Sequence, residues 1–62
     1  MDTTQKEAFI KENIDLIEAE IWKLDTLAAA FTKAGLKERA EKIIEQSAEQ
    51  SRLLKAIKET PL

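Results

Sequence analysis

The sequence predicts an all-α protein, an antiparallel two-helix hairpin that assembles as a dimeric four-helix bundle or a larger even oligomer. Three observations lead there. Ala, Leu, Glu, Lys and Gln dominate, valine is absent, and Gly and Pro occur once each; these are strong helix formers without the commonest strand residue. Apolar residues recur at alternating spacings of four and three, as on one buried stripe of a helix. That rhythm changes phase at Gly35, the single glycine.

The first helix is expected over about 3–34. Thr4 followed by Glu7 fits a capping box, and Asp2 followed by Gln5 offers a second one earlier in the chain. The stripe then runs through Ile10, Ile14, Ile17, Ile21, Leu24, Ala28 and Phe31, with Phe9, Leu16 and Leu27 along one flank. The added width suits a bundle, in which each helix meets two neighbours, better than a narrow two-stranded coil.

A turn is expected at Gly35. Glycine takes the left-handed backbone just past a helix end, Leu36 can fold back towards Phe31, and Lys33 suits the negative end of the helix dipole. One continuous helix is the rival, since an interior glycine costs only about 1 kcal/mol. The stripe decides against it: its first register, continued, would put Gly35, Glu38, Lys42, Glu45 and Glu49 in the core. The apolar positions restart instead at Leu36, Ala40, Ile43, Ser47, Gln50, Leu54 and Ile57. The second helix is therefore expected over about 36–59, stopping before Pro61. Antiparallel folding then sets Phe31 near Ala40, Ala28 near Ile43, Leu24 near Ser47, Ile21 near Gln50 and Ile17 near Leu54.

Residues 1–62 make one small domain. A chain of this length buries only about 60% of its unfolded surface, a thin margin against conformational entropy. Cysteine and histidine are both absent, which removes disulfides and the usual zinc ligands as staples. Self-association is the expected remedy, with an oligomer core of Ile10, Ile14, Ile17, Ile21, Leu24, Phe31, Ile43, Leu54 and Ile57.

The charges, 10 basic and 12 acidic, are interleaved and leave a net charge of -2, which argues against a basic nucleic-acid stripe. No apolar run exceeds five residues, Leu27 to Phe31, too short for a membrane span. The opening MDTTQKEAF lacks a basic region followed by an apolar one, so no secretory leader is expected and the cytoplasm is the expected location.

Enzymatic activity is not expected. Ser47 and Ser51 have no histidine to activate them, and the carboxylates Asp15, Glu18, Glu20 and Asp25 lack a cleft to work in. No metal or cofactor is expected. Three surfaces compete as binding sites. The favoured one surrounds Trp22, with Ala19, Thr26 and Ala29, because tryptophan is the residue most enriched at interaction hot spots. It points to a small regulatory or inhibitory protein, of the sort bacteria and phages encode, whose partners are itself and another protein. The second is a polar layer of Asn13, Glu20, Ser47, Gln50 and Ser51, which either fixes register between helices or lines a site for a small ligand. The third is basic: Arg52, Lys55 and Lys58, with Arg39 and Lys42 further up, could meet RNA phosphates.

Two resemblances accompany these readings. A dimeric bundle using such a basic face would be similar in architecture to RNA-binding hairpins of the Rop kind. The stretch LDTLAAAFTKAGLKERAEKIIEQS, residues 24–47, looks like the central turn of a tetratricopeptide repeat, with Leu27, Ala28, Phe31, Gly35, Ala40 and Ile44 at matching spacings. It covers under half of the chain, and the first helix is too long for that repeat. Groove binding by such repeats needs several stacked copies, so the likeness implies a helical turn and no peptide groove.

Overall fold

The computed structural model describes residues 2–61. Within them the chain forms two helices, α1 over Thr3–Lys33 and α2 over Lys37–Glu59, packed against each other as a hairpin. The N-terminal cap is Asp2: its carboxylate accepts from the Gln5 amide at 2.8 Å, and its own amide donates to Gln5 Oε1 at 3.1 Å. Of the two boxes the sequence offers, the structure takes Asp2 with Gln5 and not Thr4 with Glu7. Thr4 already lies in the first helical turn, and a carboxylate accepts from the positive helix end at least as well as a hydroxyl.

The turn has the expected chemistry. Ala34 closes α1, and Gly35 takes φ +81. The Leu36 amide donates to the Phe31 carbonyl at 2.9 Å and the Gly35 amide to the Thr32 carbonyl at 3.1 Å, the paired bonds of a Schellman ending. Leu36 caps α2 through its backbone carbonyl, which accepts from Ala40. Its side chain remains exposed, so the second stripe starts at Ala40 and not at Leu36.

Every other position of the two expected stripes faces the neighbouring helix. Leu24, Ala28, Ala40 and Ser47 are buried; Ile10, Ile14, Ile17, Ile21, Phe31, Ile43, Gln50, Leu54 and Ile57 are half-buried. No large side chain is fully enclosed. The molecule measures 49 × 15 × 11 Å, a single layer of two rods. Its radius of gyration of 14.8 Å exceeds the value of about 10.6 Å for a compact domain of this length. Helix pairing is thus complete along its seam, yet that seam is covered from one side only.

Candidate interaction surfaces

Side chains outside the seam divide by their angle around each helix, at about 100° per residue. Two contacts across the hairpin identify one flank. Ser47 Oγ donates to Asp25 Oδ1 at 2.6 Å, and Lys58 Nζ lies 3.4 Å from Glu18 Oε1. Asp25 and Glu18, seven residues apart, share a side of α1, and Ser47, Ser51 and Lys58 share the facing side of α2. This flank is mostly polar and charged, with Ile44, 54% exposed, as its one large apolar side chain among the described residues. The sequence placed Asp25 only among carboxylates without a cleft; in the fold it satisfies Ser47, the one buried polar side chain among the described residues.

The opposite flank alternates apolar and polar side chains and, among the described residues, makes no contact beyond the hairpin's own seam. On α1 it carries Phe9, Asn13, Leu16, Glu20, Lys23 and Leu27, again at alternating spacings of four and three. Leu16 is 64% exposed and Phe9 59%, with Leu27 also open to solvent. On α2 the same side presents Gln50, Leu53 and Ile57; Leu53 is exposed, and the other two are half covered by α1.

The candidate polar layer is split by this geometry. Ser47 and Gln50 lie in the seam, and Asn13 is half-buried at its edge, where its Nδ2 donates to its own helix at the Phe9 carbonyl, 2.8 Å away. Glu20 and Ser51 are exposed, Glu20 on the apolar flank and Ser51 on the polar one, so the five do not converge on one point. Two grooves among the described residues lie elsewhere. One, of about 370 Å³, follows the turn from Gly35 to Arg39. The other, of about 330 Å³, opens between Ile10, Ile14 and Ile57 at the far end. Among the described residues no group of acidic side chains gathers as a metal site.

Trp22 stands apart from both flanks. Two residues before the buried Leu24, it sits about 160° around α1 and faces away from α2. It is 68% exposed. Ala19, Thr26 and Ala29 are exposed beside it, and the Thr26 hydroxyl is turned inward to the Trp22 carbonyl at 2.8 Å. The indole therefore rises from a low surface of small residues, edged by the carboxylates of Glu18 and Asp25. The expected basic set is dispersed: Arg39 and Lys42 lie to one side of α2, Lys55 and Lys58 to the other, and Lys58 is paired with Glu18.

Comparison with known proteins finds no match: no family model, curated protein or solved structure aligns with the chain. No helix among the described residues is long and apolar enough to cross a membrane.

Proposed function

We propose that this chain is a small non-enzymatic regulatory or inhibitory protein that works by binding another protein, and that it does so as an assembly of hairpins. The observation that carries this reading is Trp22. A large indole left 68% exposed among small residues, on a face the hairpin does not use, costs solubility unless a partner covers it. Its flat surroundings suit a protein surface better than a small ligand, which needs concave walls. The scattered basic residues support a protein partner over RNA.

The test is affinity capture with quantitative mass spectrometry, using wild type and Trp22→Ala side by side. A partner enriched by wild type and lost with Trp22→Ala supports the reading, provided the purified pair shifts Trp22 fluorescence to the blue as the indole leaves water. Equal capture by both forms, with unchanged fluorescence, overturns it.

A further inference from the structure

The hairpin exposes 5076 Å², whereas a folded monomer of 7.0 kDa typically exposes about 4,000 Å². The surplus of about 1,000 Å² is close to the roughly 800 Å² each partner buries in a standard interface. The flank of Phe9, Leu16, Leu27 and Leu53 holds four of the seven exposed large apolar side chains among the described residues, more than any other face. Four of its six α1 residues also carry a symmetry: counting from a point between Ile21 and Trp22, Leu16 is as far back as Leu27 is forward, and Glu20 as far back as Lys23 is forward, while Phe9 and Asn13 fall opposite Ala34 and Ala30.

We propose that this flank is closed by a second copy of the chain, related by a two-fold axis that passes beside the flank, level with the midpoint between residues 21 and 22. The inference rests on the assembly named above and assigns its face and register. Two copies of α1 run antiparallel across the axis. Leu16 of one packs on the partner's Leu27, and Glu20 meets the partner's Lys23, each contact made twice as an isologous interface requires. Among the described residues neither Glu20 nor Lys23 has an ion-pair partner within the hairpin, so both are free for this exchange. The bond from Ser47 to Asp25 sets the level of α2, and places Gln50 beside the same axis. A carboxamide there can pair with its own copy because it both donates and accepts. Trp22 stays on the outer surface of α1, clear of the interface.

Sedimentation equilibrium at micromolar concentration is the first test, with a 14 kDa species expected, about twice the 7.0 kDa chain. Glu20→Lys or Lys23→Glu alone should raise the dimer dissociation constant about tenfold, since attraction becomes repulsion at two symmetric places. The double reversal should restore it. Register is tested by disulfide trapping, which is clean because the chain has no cysteine. Leu16→Cys combined with Leu27→Cys should oxidise to a covalent dimer, and neither change alone should. Trp22→Ala should leave the mass unaltered. A folded monomer throughout overturns the proposal together with the assembly reading, including the case where that monomer sediments with lipid vesicles. A dimer indifferent to both charge reversals, or trapped equally by the single cysteines, overturns the face and register while leaving assembly standing.

Discussion

Replacing Gly35 by alanine isolates the energetics of the turn. A Cβ built on Gly35 meets nothing within 4 Å, so the substitution brings no clash, and its whole cost lies in holding φ at +81. For an L-residue that conformation costs about 1–2 kcal/mol. The narrower unfolded ensemble of alanine returns about half a kcal/mol, so the net loss should be about 1 kcal/mol. In a domain of this size that lowers the melting temperature by roughly 4–8 °C. The change should be followed by far-UV circular dichroism at one fixed protein concentration, because an associating chain melts in a concentration-dependent way. The mirror-image substitution, D-alanine introduced by chemical synthesis, makes the argument decisive. It favours positive φ and also restricts the unfolded chain, so it should raise the melting temperature. Equal destabilisation by both enantiomers would refute the reasoning and show that the space around the turn is not open.

Further substitutions probe the start of α1 and the turn end of the seam. Asp2→Ala removes both bonds of the capping box and should cost about 1 kcal/mol, read as faster hydrogen exchange in the first turns of α1; Thr4→Ala should change little. Ala40→Leu forces a larger side chain into the seam at a position only 3% exposed. It should destabilise by about 1–3 kcal/mol through overpacking, measured by urea unfolding, and an unchanged midpoint would mean that the helices separate freely there.

The helical stripes were legible because 3.6-residue periodicity is written directly into the spacing of Ile, Leu and Ala, and the phase jump at Gly35 has few physical causes besides a turn. Thirteen of the fourteen seam positions expected from spacing face the other helix; Leu36 departs because its backbone is committed to closing the turn. The choice of Asp2 over Thr4 was harder, since both have a suitable partner three residues on and the difference is one of acceptor strength. Asp25 was not legible as the partner of Ser47. That bond depends on how far each helix is rotated about its own axis, and a one-dimensional pattern leaves several rotations equivalent. The same freedom hid the separation of Glu20 from Ser51, which a flat wheel places near one arc while the folded hairpin sets them on opposite sides. Trp22 was readable as an outlier from the stripe, but an exposed indole carries no mark of what covers it.

All four buried side chains, Leu24, Ala28, Ala40 and Ser47, lie within a dozen residues of Gly35, whereas the partners beyond them are only half enclosed. The hairpin therefore behaves like a pair of tongs, gripped firmly at the bend and slack at the tips. Contacts nearest the bend close the shortest loops and lose the least chain entropy, so folding should begin there and travel outward quickly. Unfolding should run the other way, with the tips of Ile10 and Ile57 parting first and the amides there exchanging long before those beside Ala28 and Ala40.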